Sequence, residues 1–391
     1  MRGAASRLLS WSPDWLLAAI LPPRIGFRLD EVPPQVAAPD TVRRLYIAPA
    51  NSAGQAWQWI RAAERNLPGV GAISMATVLD DVFRYPVDYR VPLGVYRWSR
   101  RWQRSQRRAV EGRFTHVIVE SAKRLFGDVL PGSVGGEIDR LRARSVSVAL
   151  LFHGSDIRLP SRHAASSPWS PFRDGLWPAT SQLEVITSRN ADLIRTVGGP
   201  VFVSTPDLLI DVPTARWLPV VVDLVAWHTE RLPFAHGGLP RVAHAPSRDI
   251  VKGSDLVDPV LSRLEAEGLI EYVRVTGIAA SEMPDVYRSV DIVLDQFRIG
   301  SYGVAACEAM AAQRIVVSHV SEQVREHVGE ATGLRLPIVQ ATADELDATI
   351  RAIVADPEPF VQDARAGLGF VSEVHDGRRS ARELQDFLAT E

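Results

Sequence analysis

The sequence predicts an α/β protein made of two doubly wound domains that face each other across a cleft. Three observations carry that expectation. Short apolar runs alternate with helix-length segments along the whole chain, the pattern of βαβ units and parallel sheets. One run, Val146–Phe152, is apolar almost throughout, as a strand covered on both faces must be. At 391 residues the chain also exceeds the size at which one core usually keeps growing. The break falls in Leu218–Leu239, which holds Pro219, Pro233, Gly237 and Gly238, lacks a helical period and is followed by Pro240. This predicts an N-terminal domain over 1–217, a linker over 218–239, a C-terminal domain over 240–379 and a tail over 380–391. Within the tail, Ser380–Leu388 reads as one amphipathic helix.

Composition excludes several classes. With 46% hydrophobic and 23% charged residues the chain is ordinary for a soluble globular protein, and a net charge of −2 gives no reason to expect a nucleic-acid partner. A single cysteine, Cys307, excludes an intrachain disulfide and a Cys-cluster metal site and fits a reducing compartment. The apolar run Trp15–Leu21 is too short to span a bilayer. Arg2 and Arg7 precede it, but Pro22-Pro23-Arg24 is a poor cleavage context, so a packed or interfacial helix is preferred to a signal peptide.

In the first half the predicted strands are Leu45–Ala48, Ala72–Thr77, His116–Val119, Val146–Phe152, Val185–Thr187 and Val201–Ser204, with a helix over Gly54–Asn66. A glycine-bearing turn, Pro49 to Gln55 with Asn51 and Gly54, joins the first strand to that helix; as turn chemistry alone it is an ordinary βα connection. Tyr85 to Arg113 is rich in Arg, Trp and Tyr, which suits an anionic membrane surface or charged acceptor, or simply a solvated helix with apolar anchors. The buried strand ending at Phe152 runs into His153-Gly154-Ser155-Asp156-Ile157-Arg158. Polar groups there lie at the ligand side of an α/β sheet, where His153 or Asp156 can bind or polarise an acceptor hydroxyl. The plain alternative is a turn capped by Asp156 and a satisfied buried histidine. Ser204 and Thr205 read as architectural, with the cleft wall as their other place. No Gly-x-Ser-x-Gly elbow and no Walker loop is present.

In the second half the predicted strands are Arg241–His244, Tyr272–Val275, Asp291–Leu294 and Ile315–Ser318, with helices over Asp255–Glu267, Glu322–Val328 and Asp344–Ala355. The loop after the first of these strands carries Arg248 and Lys252 before a helix expected to be capped by Ser254 or Asp255, a place suited to a diphosphate. The run Ile292-Val293-Leu294 ends in Asp295 and Gln296. Gly300-Ser301-Tyr302-Gly303 and a small-residue helix with one carboxylate, Glu308, follow. Such a turn and helix start present backbone N–H groups to an anion, and the carboxylate can accept from ligand hydroxyls, which points to a phosphate-plus-sugar site.

Three stretches, HAPSRDIVKGSD at 244–255, VTGIAASEMPDVYRSVDIVL at 275–294 and GSYGVAACEAMAAQRIVV at 300–317, resemble the GT-B glycosyltransferases, in particular the retaining Glu-x7-Glu, family-4-like group. The resemblance implies two Rossmann-like domains, with the C-terminal helix returning to the first. It implies a nucleoside-diphosphate-sugar donor and a hydroxyl acceptor (glycan, lipid-linked or small molecule), hexosyl or related transfer, and neither metal nor cofactor. By position, Arg248 and Lys252 would hold the diphosphate and stabilise its charge as it leaves. Gly277 and Ile278 would flank the base, Glu308 would hold the ribose, and Gly300, Ser301, Tyr302 and Gly303 would line the donor. Asn51 and Gly54 would belong to the acceptor loop. His153 and Asp156, in a stretch similar to one in some bacterial members, would serve acceptor and catalysis. The cytoplasm, or its membrane face, is the implied location. One departure stands out: the first glutamate of the signature is replaced by Gly300, so Asp295 and Gln296 become candidates for the sugar contacts. That departure keeps two rivals in view, a sugar-nucleotide epimerase of the same fold and a non-catalytic nucleotide-sugar-binding protein.

Overall fold

The structure, a computed structural model, describes residues 12–22, 24–79, 84–246 and 248–390. The N-terminal domain carries β1 (Arg43–Ala48), β2 (Val70–Val78), β3 (Tyr89–Pro92), β4 (His116–Glu120), β5 (Ser147–Phe152), β6 (Val201–Val203) and β7 (Arg216–Trp217). They form one parallel sheet in the order β3-β2-β1-β4-β5-β6-β7. The C-terminal domain carries β8 (Arg241–His244), β9 (Glu271–Arg274), β10 (Ile292–Leu294), β11 (Ile315–Ser318) and β12 (Val339–Gln340), again all parallel, in the order β12-β11-β10-β8-β9. In each sheet the strand order reverses once, between β1 and β4 and between β8 and β10. The crevice beyond the carboxyl ends of those strands is where such sheets bind ligands. β4 and β10 are buried at every position, as strands covered by helices on both faces must be.

The predicted strand Val185–Thr187 is not one. It lies inside an eighteen-residue helix, Thr180–Val197. The β-branched pair Val185-Ile186 is overruled by a helical period, because Leu183, Thr187, Asn190 and Ile194 turn inward while Val185 is exposed. Neither Ser254 nor Asp255 caps the helix Ser254–Ala266. Gly253 precedes it at φ 78°, and the Ser254 hydroxyl is engaged by His244 and Asp249. The edge strands β3, β7 and β12 were not foreseen. They are short, and β3 lies within the arginine-rich segment.

The chain crosses back at its end. The helix Arg378–Ala389 buries Leu384, Phe387 and Leu388 against Ile47, Trp59 and Phe202 of the first domain. Arg216 pairs with Glu383 and Asp386 at 3.0 Å each, and the Ser380 hydroxyl donates to the Pro219 carbonyl at 2.8 Å. The later part of the linker packs on the C-terminal domain. There the buried Asp291 carboxylate accepts from the backbone N–H groups of Phe234 and Arg241 and meets the His236 ring. Among the described residues no helix is long and apolar enough to cross a membrane.

Candidate active site in the interdomain cleft

The cleft holds two adjoining cavities that share Ala53, Tyr85 and Lys252. One, of about 410 Å³, is walled by Lys252, Gly277, Ile278, Tyr287, Val304 and Glu308 among others, all but Ala53 and Tyr85 from the second domain. The other, of about 470 Å³, opens between the domains, with His153, Arg158, Thr205 and Asp207 on one side and Arg248, Lys252, Asp295 and Ser301 on the other.

Lys252 stands at the junction because a four-residue helix, Asp249–Lys252, is stopped by Gly253 in a left-handed conformation. The Phe297 N–H donates to the Lys252 carbonyl at 3.1 Å, which ties this turn to the segment after β10. The ammonium pairs with Asp295 Oδ1. Arg248 has no carboxylate partner among the described residues; its guanidinium lies 5.6 Å from the centre of the Trp177 ring across the cleft. The helix Val304–Ala311 begins at Gly303, and Gly303, Val304 and Ala305 all line the cavities. The unpaired N–H groups of that first turn add to the positive field of the two cations. Glu308 sits one turn further in and accepts no hydrogen bond from the described residues. Burial pushes its carboxyl up to about 8; Lys252 opposes the shift and Asp295 adds to it. The predicted Arg248, Lys252, Gly277, Ile278, Asp295, Ser301, Tyr302, Gly303 and Glu308 thus converge on the two cavities.

Gly300 does not reach either wall. It turns the chain at φ 73° behind the cavity, where a Cβ would stand 3.5 Å from His319 and Ser321 in ordinary contact. Gln296 lines the wall but its amide is consumed locally. The amide nitrogen donates to the carbonyls of Ser301 and His319, and the amide oxygen accepts from the Ile299 N–H at 2.7 Å. It shapes the turn and has little left for a ligand.

On the N-terminal side the structure adds Glu120, which the sequence reading did not single out. It ends β4 at the switch point, fully buried. One oxygen accepts from the N–H groups of Ala50 and Asn51, both at 2.8 Å, and the other meets His153 Nε2 at 3.0 Å. The carboxylate oxygen accepts, so Nε2 is the donor, and Nδ1 has no partner among the described residues. The ring also stacks on Trp59, 5.8 Å between centroids. Asp156 takes the plain role: its carboxylate accepts from the N–H groups of His153 and Gly154 at 2.8–3.1 Å and caps the turn. Asn51 and Gly54 shape the first loop, while Ser52 and Ala53 reach the cavity. The Asn51 amide spans the Trp57 N–H and the Pro86 carbonyl, and Gly54 lies against Tyr85 at φ 73°.

The cleft walls are latched. His163 Nε2 lies 3.1 Å from the Ile299 carbonyl, and Arg298 donates to the Trp169 carbonyl at 3.2 Å. Burial lowers His163 to about 4, so it is neutral at pH 7. Among the described residues no group of three or more His, Cys, Asp or Glu side chains is arranged to hold a metal ion.

Comparison with known proteins agrees with this geometry. Residues 230–356 match the family described as glycosyl transferases, group 1. No curated protein matches the chain. Among solved structures, sucrose-phosphate synthase from Thermosynechococcus elongatus superposes with a TM-score of 0.59 at 12% identity, covering 88% of this chain and 97% of that one. Anabaena HepE, solved with UDP and glucose, gives 0.54 at 13% identity over 89% and 99%. WaaG, a glycosyltransferase of lipopolysaccharide biosynthesis, gives 0.51 at 9% identity over 89% and 100%. The match to the glycosyl transferases group 1 model thus falls on the C-terminal domain and the end of the linker, and the chain as a whole has the two-domain GT-B fold.

Proposed function

We propose that the protein transfers a sugar from a nucleoside-diphosphate sugar to a hydroxyl acceptor, with retention at the anomeric carbon. The observation that carries this is the meeting of Arg248, Lys252, the helix start at Gly303 and the desolvated Glu308 at one junction of two cavities. In this reading the smaller cavity takes the nucleoside, with Gly277 and Ile278 against the base and the ribose hydroxyls donating to Glu308. The diphosphate lies at the junction, where Arg248, Lys252 and the helix N–H groups neutralise the charge that develops as the glycosidic bond breaks. Lys252 leaves Asp295 in part to do so. The acceptor enters the larger cavity from the N-terminal side, and His153, its ring fixed by Glu120, presents Nδ1 to a ligand hydroxyl. The latched walls exclude water and so protect the donor from hydrolysis.

The test is direct: titrate the purified protein with UDP, GDP and other nucleoside diphosphates, then follow the cognate sugar nucleotides by NMR. Binding of one diphosphate, and release of its sugar to an acceptor with the anomeric configuration kept, is the expected outcome. Absence of binding to every diphosphate refutes the assignment, and an inverted product refutes retention.

A second observation bears on the acceptor. Trp15, Ile20, Ile25 and Leu29 are exposed on the N-terminal domain, and Asp14 beside them caps the arginine-rich helix Arg100–Arg113 by accepting from the Arg100 N–H at 3.0 Å. Exposed apolar groups next to exposed arginines suit the surface of an anionic bilayer. This supports peripheral membrane contact and a lipid-linked acceptor. Cosedimentation with phosphatidylglycerol vesicles but not phosphatidylcholine vesicles is expected, and equal recovery with both refutes it.

A further inference from the structure

A third cavity, of about 410 Å³, lies outside the cleft and shares no lining residue with the two cavities there. The turn Pro206–Ile210 and β7 wall it on the N-terminal domain, and the helix Glu322–Thr332 walls it on the C-terminal domain. The returning helix Arg378–Ala389 supplies Arg379 and Glu383. Its volume equals that of the smaller cleft cavity, enough for a small organic molecule.

Most of the lining side chains are apolar, among them Leu209, Ile210, Pro213, Val324 and Ala331. Two of the charged ones satisfy each other: Arg216 pairs with Glu383 at 3.0 Å, and with Asp386 beyond the lining. Arg379 has no carboxylate partner among the described residues. Its guanidinium stands 5.8 Å from the centre of the Trp217 ring and gives one N–H to the Ala331 carbonyl at 2.7 Å, while its Nε is buried without a partner. The indole nitrogen of Trp217, a residue 6% exposed, is likewise buried and unpartnered. Both nitrogens are donors, and buried donors are nearly always satisfied, so this corner calls for an acceptor. Burial holds His327, the remaining titratable group of the lining, below its ordinary value and therefore mostly neutral at pH 7. The cavity thus presents an apolar wall and one cation that no carboxylate neutralises.

We infer that this cavity is a binding site for a small organic carboxylate, an apolar ring or chain ending in one carboxylate group. The carboxylate accepts from Arg379 and Trp217 in charge-assisted hydrogen bonds, and the apolar body lies between Leu209 and Val324. Such a ligand bridges the domains behind the cleft. Pro206 sits between Thr205 and Asp207, which line the larger cleft cavity. Ser321, just before the helix Glu322–Thr332, donates its N–H at 2.9 Å to the carbonyl of Gly300, in the turn that leads to Ser301 and Gly303. The cavity is whole only in this arrangement of the domains, so its occupant favours the latched cleft, and a nucleotide that needs the latched cleft binds more tightly in turn. The site stands without the nucleotide-sugar reading; its effect on the cleft rests on that reading.

The test uses 1-naphthaleneacetate and its neutral amide, 1-naphthaleneacetamide, as probes in calorimetry with the full chain. The acid is expected to bind at least about tenfold more tightly than the amide. Arg379→Gln should abolish that preference, and Ala331→Phe, which fills the cavity, should block both probes; circular dichroism checks the fold, and either variant decides if the other fails to fold. Saturating acid should tighten the nucleoside diphosphate that the cleft binds by about fivefold or more, and Ala331→Phe should remove this effect. Equal affinity for acid and amide, binding that survives in the folded variants, or displacement of the acid by a diphosphate overturns the site. A diphosphate affinity unchanged by the acid overturns the coupling. A protein that shows the acid preference and its loss in Arg379→Gln, yet binds no diphosphate, keeps the site and refutes the nucleotide-sugar reading instead.

Discussion

Glu308 makes the nucleotide site pH-dependent in a calculable way. Its carboxyl is raised to about 8 by burial, with Lys252 and Asp295 acting in opposite directions. A ribose diol donating two hydrogen bonds needs the ionised form, so binding must expel the proton that the free protein still holds at pH 7. Between pH 6 and pH 8 the ionised fraction climbs from about one in a hundred to about one half. The Kd for the nucleoside diphosphate should therefore tighten by up to about 50-fold, or about 2 kcal/mol. Isothermal titration in buffers of different ionisation enthalpy reads both the affinity and the released proton. Glu308→Gln removes the titration but keeps the shape; the phosphate's own ionisation is common to both proteins and cancels in the comparison. A wild-type Kd that is flat over this range, or an equal slope in Glu308→Gln, refutes the ribose role. Stability responds to the same proton in the opposite sense. The folded protein keeps a proton that the unfolded chain loses near 4.5, so this contribution is fully present below that pH and is lost as pH rises through about 8. Glu308→Gln should abolish that loss.

Lys252→Ala should lower turnover by about 100- to 1,000-fold by removing a charge aimed at the leaving group. Because it also strands the buried Asp295, Lys252→Ala/Asp295→Asn is the fold control, checked by circular dichroism. Glu120→Ala leaves two backbone N–H groups and the His153 ring unsatisfied and should cost at least about 1–3 kcal/mol in urea unfolding. His163 and His375 titrate at about 4 in the folded protein because burial disfavours their charged forms. The unfolded chain binds these protons near 6.5, so their stability contribution is whole above that pH and falls as pH drops toward 4, by roughly 2–3 kcal/mol each. His163→Phe should flatten that part of the Tm-against-pH curve. Gly300→Glu, which restores the signature residue, should not raise activity: its backbone sits at φ 73°, where a side chain costs roughly 1–2 kcal/mol. A gain in turnover would contradict this placement.

The donor side was legible in the sequence because its determinants are local. Arg248 and Lys252 fall in one strand-to-helix loop, and the turn at Gly300–Gly303 leads directly to Glu308, so spacing along the chain reports spacing in space. The partners joined across the first sheet were not legible. Glu120 meets His153 and Arg158 meets Asp207 through strands whose order only the folded sheet fixes. A carboxylate ending the apolar run at 116–119 was the available signal for Glu120, and it went unused. Thr205 was foreseen as architecture with the cleft wall as its other place. Its place beside Asp207 on the wall of the larger cavity is visible only in the folded structure. The strand misread at Val185–Thr187 shows the opposite limit: three residues carry too little periodicity to outweigh a helix of eighteen.

The returning helix Arg378–Ala389 has a consequence for biogenesis. Leu384, Phe387 and Leu388 complete a core whose other members, Leu45, Ile47, Ala56 and Trp59 among them, leave the ribosome hundreds of residues earlier. Until that late segment arrives, the first sheet displays an open apolar face on the side of the helix Gln55–Asn66, a surface that invites association with other chains. The first domain of this protein is thus finished only after translation has passed through the second. Ribosomes that stall between the two domains would release an aggregation-prone product instead of a usable half-enzyme.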